Sequence, residues 1–225
     1  MKKGQKIAII GHTGSGKTTI AQLLLRMYDP GSGSVKINGE PVNRFPLKTL
    51  RNRITYVPQD VFLFSDTVAN NIRFGKPEAD LDEVKAAAAN AYVDREIMNF
   101  SKQYETLVGE RGVTLSGGQK QRISIARALI GNPEFVLFDD CLSAVDAKTE
   151  KEILTNLNRF LENKTAVIIT HRIFTLLDFD KVIVLEDGKI VEQGTHDELI
   201  ALNGYYTFLH NQQKHEQENV DVENS

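Results

Sequence analysis

The sequence predicts an α/β fold, with a mainly parallel β-sheet, a small antiparallel β-subdomain and an inserted α-helical subdomain. Three observations lead to this prediction. Short apolar segments rich in isoleucine and valine, such as QKIAII near the start and TAVIITH at residues 165–171, are typical of strands buried on both faces. Helix-forming segments separate these strands, as parallel crossovers require. A glycine-rich turn connects the first strand to the first helix.

The individual elements follow from the local patterns in chain order. KTTIAQLLLRMY predicts a helix after the glycine-rich turn, and residues 29–42 combine turn residues with alternation, which predicts a small antiparallel hairpin. RITYVPQD predicts a strand that Pro58 ends. From about residue 66 to 131 the pattern is helical and rich in strong helix formers. EFVLFDD, TAVIITH and KVIVLEDG predict buried strands, and residues 211–225 predict a polar, disordered tail.

Composition and charge exclude several classes of protein. The 225 residues are 41% apolar and 25% charged, which is ordinary for a globular protein. The formal net charge of −3 provides no basic surplus, so we expect no nucleic-acid partner. Cys141 is the single cysteine, which excludes an internal disulfide. No run approaches the 18 or so apolar residues of a transmembrane helix, so we expect none in this chain.

The segment GHTGSGKT, residues 11–18, predicts a phosphate-binding loop (P-loop). Its glycines allow backbone N–H groups to surround phosphate oxygens, and the following helix N-terminus adds partial positive charge. We expect Lys17 to reach the β- and γ-phosphates and Thr18 to bind Mg²⁺. A glycine-rich turn that binds nothing is the alternative, but the motif has the required strand before it and helix after it. The predicted nucleotide-binding residues are Gly11, His12, Thr13, Gly14, Ser15, Gly16, Lys17, Thr18 and Thr19.

Asp139 ends the apolar strand FVLFD. In a fold with a P-loop, such a strand lies near the strand that leads to the loop, so its terminal carboxylate is expected to face Mg²⁺. The other interpretation is a strand-end Asp that caps the following turn. The P-loop upstream favours the magnesium role, and the expected cofactors are therefore ATP and Mg²⁺.

A second glycine motif, LSGGQKQR, begins at Leu115. Ser116 followed by two glycines can be explained as a helix N-cap. Two exposed glycines at a helix start can also let backbone donors approach an anion closely. The pattern alone leaves both interpretations open.

With this motif the chain resembles the ATP-binding cassette of ABC transporters over residues 4–210. The resemblance implies one nucleotide-binding domain at residues 1–210, in which about 66–131 is the helical signature subdomain. It rests on ordered motifs: the P-loop, Gln59 in VPQD, the LSGGQ signature, Asp139, the SAVD loop that ends in Asp146, and His171 in IITHR.

The resemblance implies a head-to-tail pair of cassettes, homo- or heterodimeric, that encloses two ATP molecules. Each nucleotide would lie between the P-loop of one cassette and the signature of the other. Gln59 would help to hold Mg²⁺ and water, and His171 would contact the γ-phosphate. Taken without the resemblance, Gln59 could be a plain loop residue and His171 a core histidine. The implied nucleotide contacts outside the P-loop are Ser116, Gly117, Gly118, Gln119 and Asp146, with Thr18, Gln59 and Asp139 at the metal.

Two segments make the resemblance closest to multidrug, lipid and peptide exporters. VFLF follows Gln59, and either core packing or an apolar patch for a partner would explain it. VGERG precedes the signature and resembles the segment through which exporter cassettes contact their membrane domains, although Glu110 and Arg111 could be plain surface charges. The implied partner is a transmembrane domain that contacts residues 59–64 and 108–112, which would place the chain at the cytoplasmic face of a membrane.

Asp140 departs from the family pattern, in which the residue after the magnesium-binding Asp is usually a Glu that polarises the attacking water. The Asp side chain is one methylene shorter, which shortens its reach by roughly 1.5 Å. A displacement of about 1 Å can slow a reaction on the order of 100-fold. We therefore expect nucleotide binding to survive, because the P-loop, Lys17 and Asp139 are intact, and hydrolysis at this chain's own P-loop to be slow.

A slow P-loop site with a complete signature resembles one half of a heterodimeric exporter, in which LSGGQ completes the competent site of a partner cassette. A homodimer that hydrolyses adequately with Asp140 is an alternative, as is a damaged gene product. A non-hydrolysing nucleotide sensor is a third class of function. A soluble ABC ATPase acting on ribosomes or DNA is less favoured, since neither a second cassette nor a coiled-coil insertion is evident.

The family also places an adenine-stacking aromatic residue in a strand well before the P-loop. Only ten residues precede Gly11 here, so we expect that residue and the first strands of the antiparallel subdomain to lie outside this chain. The chain is thus expected to be a C-terminal piece of a longer polypeptide.

Overall fold

The computed structural model describes residues 1–109, 114–173 and 177–223, with side chains as far as Lys214. Strands and helices alternate along the chain. The strands are β1 (Lys6–Ile10), β2 (Lys36–Ile37), β3 (Glu40–Pro41), β4 (Thr55–Val57), β5 (Phe135–Asp139), β6 (Thr165–Thr170), β7 (Lys181–Glu186) and β8 (Lys189–Gly194). The helices are α1 (Lys17–Leu24), α2 (Leu47–Arg51), α3 (Val68–Arg73), α4 (Leu81–Asn90), α5 (Asp94–Met98), α6 (Gly117–Leu129), α7 (Ala147–Phe160), α8 (His196–Leu202) and α9 (Tyr205–Glu223), with 3-10 helices at Val42–Arg44 and Gln103–Glu105.

Six strands form the main sheet in the order β4-β5-β6-β1-β7-β8. All neighbouring pairs from β4 to β7 are parallel, and only β7 and β8 pair antiparallel. The strands β2 and β3 form a separate antiparallel sheet. These features confirm the predicted fold class. The carboxyl ends of β4, β5, β6 and β1 lie side by side at one edge of the sheet, because parallel strands point in the same direction.

The central strands are buried on both faces, as their apolar sequences predicted. In β1, Ile7 and Ile9 pack into one apolar layer, while Ala8 and Ile10 pack into another. Alternate side chains of a strand point to opposite faces, so two layers cover the sheet. The same alternation holds in β5, where Phe138 belongs to the largest core cluster and Leu137 to the layer shared with β1.

Both antiparallel hairpins turn through two residues with left-handed backbone angles. In the β2–β3 hairpin these are Asn38 and Gly39, with φ of 51° and 83°. In the β7–β8 hairpin they are Asp187 and Gly188, with φ of 47° and 74°. Asn-Gly and Asp-Gly favour this type I′ geometry, which matches the twist of the flanking strands. The first hairpin is confirmed, whereas β8 was missed although Asp-Gly signals such a turn.

Helices α3 to α6 lie within residues 66–131, in the part of that segment that the structure describes. Asp80 caps α4: its side chain accepts a hydrogen bond from the Glu83 amide at 2.8 Å, and Glu83 accepts one from the Asp80 amide at 3.1 Å. This capping box satisfies two amides that the helix itself leaves without partners. Among the helices described, none combines the length and apolar character needed to cross a membrane.

The C-terminal segment differs from its prediction. We expected disorder over residues 211–225, but α9 continues to Glu223. The segment carries Gln, Lys and Glu, which are good helix formers, and it contains neither Gly nor Pro. The first turns of α9 are anchored, because Tyr206 is buried against the sheet. A helix therefore forms here although the segment lacks a helical repeat of apolar residues, because its first turn is packed against the sheet.

Candidate active site

The P-loop connects β1 to α1, and its backbone requires glycine at several points. Gly14 and Gly16 have φ of 86° and 99°, in the left-handed region that other residues rarely adopt. A Cβ atom on Gly11 would lie only 2.3 Å from the carbonyl oxygen of Leu185. The loop thus passes close to β7 before it opens towards α1.

Lys17, the first residue of α1, lies back across the loop. Its Nζ atom donates hydrogen bonds to the carbonyl oxygens of Gly11 at 2.7 Å and His12 at 2.8 Å. Burial lowers the pKa of Lys17, while the charges of Asp140 and Asp139 act in the opposite direction. The ammonium group and the backbone amides of the loop form a set of donors that fits the oxygens of a phosphate chain.

Asp139 ends β5 with its side chain almost fully buried. Its Oδ1 atom accepts a hydrogen bond from Thr18 Oγ1 at 3.3 Å, and its Oδ2 atom accepts one from the Tyr56 hydroxyl at 3.1 Å. Burial raises the pKa of Asp139, and the hydrogen bonds from Tyr56 and Thr18 oppose this shift. Thr18 and Asp139 together present oxygen atoms, the ligand type that Mg²⁺ prefers. These two residues therefore fit the predicted metal position.

Tyr56 is a site residue that the sequence analysis missed. It lies on β4, which pairs with β5 so that Tyr56 is opposite Leu137. This register places its hydroxyl beside the carboxylate at the end of β5. Burial raises the pKa of Tyr56, and Asp139 raises it further. Its position just before VPQD, at the carboxyl end of a strand, was the available signal.

Asp140 follows at the turn out of β5 with a left-handed φ of 46°. Its amide donates a hydrogen bond to the Ile169 carbonyl at 2.8 Å, which ties the turn to β6. The Oδ1 atom lies 2.9 Å from His171 Nδ1, and the Oδ2 atom accepts a hydrogen bond from Gln59 Nε2 at 3.5 Å. The structure thus brings the three predicted catalytic residues together around one carboxylate.

The segment that carries His171 is held in place by contacts of the next residue, Arg172. Arg172 pairs with the half-buried carboxylate of Glu150 on α7. The Arg172 amide donates a hydrogen bond to Thr170 Oγ1 at 3.0 Å. The His171 side chain remains 47% exposed. Its ring is therefore accessible, while the backbone beside it is fixed.

The signature residues form a second unit. Ser116 caps α6: its Oγ atom accepts a hydrogen bond from the Gln119 amide at 3.2 Å, and Gln119 Oε1 accepts one from the Ser116 amide at 3.0 Å. Cβ atoms on Gly117 and Gly118 would lie 3.2 Å and 3.0 Å from atoms of Ala144. The two glycines therefore allow the start of α6 to pack closely against the SAVD loop.

The SAVD loop is joined to α6 and α7. Gln121 donates a hydrogen bond to Ser143 Oγ at 3.1 Å and accepts one from the Ala144 amide at 3.0 Å. Asp146 caps α7 by accepting a hydrogen bond from the Thr149 amide at 2.9 Å. Hydrogen bonds from Thr149 lower the pKa of Asp146. The signature and the SAVD loop are thus one packed structure, which we call the signature unit.

Val108, at the described start of the second segment predicted to contact a membrane domain, lies beside the residues that directly follow the first segment, 59–64. The amide of Val108 donates a hydrogen bond to the Asp66 carbonyl at 3.0 Å, and Thr67 and Leu107 form an isolated β-bridge. In VFLF, Phe62 and Phe64 are 67% and 38% exposed, whereas the residues between and before them are half-buried. Core packing thus accounts for only part of VFLF. The predicted contacts at residues 110–112 lie outside the described residues.

The glycine loop after β1, the buried carboxylate at the end of β5 and the parallel sheet define a P-loop nucleotide-binding domain. A family model described as ABC transporter matches residues 1–143. The chain belongs to the ABC transporter family, and it is an ATPase domain of that family, for which ATP hydrolysis is typical.

Relatives and a solved structure agree with this assignment. The chain is 52% identical over 206 residues to a probable multidrug resistance ABC transporter ATP-binding/permease protein, YheI, of Bacillus subtilis. It is 45% identical over 220 residues to the ABC transporter ATM1 of Toxoplasma gondii. A bacterial Atm1-family ABC exporter with ATP bound superimposes with a TM-score of 0.88 at 42% identity.

These matches cover most of this chain and a minority of the larger proteins. They include 92%, 97% and 94% of the chain, in the order above. The shares of the other chains are 35%, 20% and 37%. The chain therefore spans about a third or less of the length of these relatives.

Proposed function

We propose that this chain is the nucleotide-binding motor domain of an ABC exporter, in which ATP-driven pairing with a second cassette powers export through a transmembrane domain. The observation that carries the proposal is the meeting of Gln59, Asp140 and His171 beside the P-loop. They follow β4, β5 and β6, whose carboxyl ends lie next to that of β1. Ligands of α/β sheets bind at this edge. The exporters among the relatives support the transport role.

At the P-loop, the backbone amides and Lys17 would bind the phosphates of ATP. Thr18 and Asp139 would hold Mg²⁺, with Gln59 nearby, and the metal would neutralise charge on the phosphates when bound. Asp140 would accept the proton of the attacking water, and His171 would contact the γ-phosphate. Both Asp140 oxygens already have partners in His171 and Gln59, so the carboxylate is oriented before substrate arrives.

We further propose that hydrolysis at this site is slow because the carboxylate belongs to Asp140. The missing methylene shortens the side chain by roughly 1.5 Å, and a displacement of about 1 Å can slow the reaction on the order of 100-fold. The signature unit retains its caps and its glycine contacts, so it is suited to complete the site of a partner. The chain would then be the degenerate-site half of a heterodimer.

A transmembrane domain would dock on an aromatic surface near the C-terminal end of α6, at the cytoplasmic face of the membrane. The surface consists of Phe62, Phe64 and Phe74, whose rings lie 5.2 Å and 4.7 Å apart in that order. Arg127 lies over two of the rings, and its Nη1 atom donates a hydrogen bond to the Phe62 carbonyl at 3.0 Å. Exposed apolar residues held in a fixed arrangement are typical of a protein interface.

The first test is single-turnover hydrolysis of labelled ATP by the wild-type chain and by Asp140→Glu, with ATP binding measured in both. We expect the Glu variant to be at least about tenfold faster, because the longer side chain restores the reach of the base. Asp140→Asn is the matched control, since it has nearly the same size but cannot accept the proton, and it should be slower than wild type.

Other results would select among the alternatives. Equal rates for wild type and Asp140→Glu would show that Asp is an adequate base, and the homodimeric exporter would replace the heterodimer. If neither protein hydrolyses ATP although both bind it, a nucleotide sensor would be favoured. A failure of the wild type to bind ATP would contradict the proposed function itself.

A further inference from the structure

The tip of the β7–β8 hairpin lies directly against the P-loop. The strands are joined by the two-residue turn of Asp187 and Gly188. Their pairing shifts register between Val184 and Leu185, at the end of β7 nearest the turn. Such an irregularity bends a strand and increases its local twist. The hairpin tip, which contacts the P-loop, is therefore bent relative to the regular β-ladder that precedes the register shift.

Close contacts join the hairpin to both ends of the P-loop. The amide of Gly188 donates a hydrogen bond to the Ser15 carbonyl oxygen at 3.0 Å. A Cβ atom on Gly16 would lie 3.6 Å from the Gly188 Cα atom. At the start of the loop, Gly11 passes so close to the Leu185 carbonyl that no side chain fits between them. The hairpin thus packs against the P-loop at both of its ends.

The hydrogen bond to Ser15 has a consequence for the next amide. A trans peptide unit is planar, and its C=O and N–H bonds point in opposite directions. When the carbonyl of Ser15 is held against Gly188, the N–H of Gly16 must point away from the hairpin. A preoriented donor of this kind needs no reorganisation when an anion binds.

We propose that Gly188 is a positioning residue for phosphate binding: its amide fixes the Ser15–Gly16 peptide so that the Gly16 N–H faces the phosphates. This inference rests on the proposed nucleotide binding at the P-loop. Gly188 itself does not contact the ligand. The hairpin turn thereby becomes part of the nucleotide site, although it lies about 170 residues after the loop in the sequence.

The test compares three variants of the 225-residue chain. Gly188→Val opposes the left-handed backbone, because a β-branched residue is a marked outlier at positive φ, and it should displace the amide. Gly188→Asn tolerates that backbone and keeps the N–H. Gly39→Val is the matched control: Gly39 occupies the same turn position in the other hairpin, with φ of 83°.

Binding of Mg-ATP and of inorganic tripolyphosphate is measured by calorimetry, and thermal unfolding is followed in each protein. We expect Gly188→Val to weaken binding of both probes about tenfold, as for one hydrogen bond to a charged group. Gly188→Asn and Gly39→Val should bind within about twofold of wild type. The two valine variants should lose similar thermal stability, because both strain the same kind of turn.

Equal weakening by Gly39→Val and Gly188→Val would overturn the inference, since general destabilisation would then explain it. Wild-type binding by Gly188→Val would overturn it as well. Gly188→Ala, with less strain, replaces the valine variant if that protein does not fold. If the wild type binds neither probe, the proposed nucleotide binding fails first.

Discussion

The P-loop site and the signature unit are built in different ways. The P-loop site draws residues from the ends of β1, β4, β5 and β6, so its geometry depends on the register of a sheet whose strands are far apart in sequence. The signature unit depends on a capping box within four residues and on the contact of two glycines with Ala144. A change in the first region should alter ligand binding or the sheet packing that holds the site, whereas a change in the second should alter local stability and leave ATP binding at the chain's own P-loop intact.

Replacement of Lys17 is expected to have the largest effect on ATP affinity and to show most clearly that the P-loop site and the signature unit act independently. Lys17→Ala removes the only side-chain ammonium predicted at the phosphates. We expect ATP affinity to fall about 100-fold, or roughly 2.7 kcal/mol, as for the loss of charge-assisted hydrogen bonds. Calorimetric titration measures the change. Lys120→Ala, on the exposed face of the signature helix, is the control and should bind normally. A loss of ATP affinity in both variants would contradict the independence of the P-loop site and the signature unit.

Replacement of Tyr56 tests whether sheet register supports the metal position. Tyr56→Phe leaves a buried Asp139 oxygen without its donor, so we expect the free energy of unfolding to fall by about 1–3 kcal/mol. Urea denaturation gives this value. Tyr28→Phe removes a hydroxyl from a side chain that is 63% exposed, and it should be neutral. If Tyr56→Phe is also neutral, the 3.1 Å contact does not stabilise the carboxylate.

Removal of the Ser116 cap should have the smallest effect. Ser116→Ala deletes the acceptor for the Gln119 amide and should lower the free energy of unfolding by about 1 kcal/mol. ATP affinity at the chain's own P-loop should stay within about twofold of wild type, because the cap belongs to the other region. Denaturation and calorimetry on the same samples decide this. A large drop in ATP affinity would mean that the two regions are coupled within one chain.

The same distinction explains how much the sequence could predict. The P-loop and LSGGQ are local patterns, and the β-strands that lead to Asp139 and His171 are apolar runs, so these features were predicted from neighbouring residues. Tyr56 and Gly188 were missed, because their contacts depend on which strands are adjacent. Tyr56 lies 83 positions from Asp139, and only the pairing of β4 with β5 brings them together.

The tail and the aromatic surface show the limits of periodicity. Residues 211–225 lack an apolar face, but α9 extends through most of them from an end packed at Tyr206. VFLF contains four apolar residues, and only the structure separates exposed Phe62 and Phe64 from their half-buried neighbours. In both cases tertiary contacts determine the result: the packing of Tyr206 anchors the helix, and the packing around VFLF determines which of its side chains are exposed.

The left-handed backbone at Asp140 links hydrolysis to stability. Asp is among the few residues that adopt φ near 46° readily, because its short polar side chain can be accommodated locally. Glu at this position would extend the reach of the base but would fit the turn less well. Asp140→Glu should therefore unfold at a lower temperature even if it hydrolyses ATP faster. The position is therefore expected to exchange activity for stability: the shorter residue fits the turn, and the longer one would extend the reach of the base.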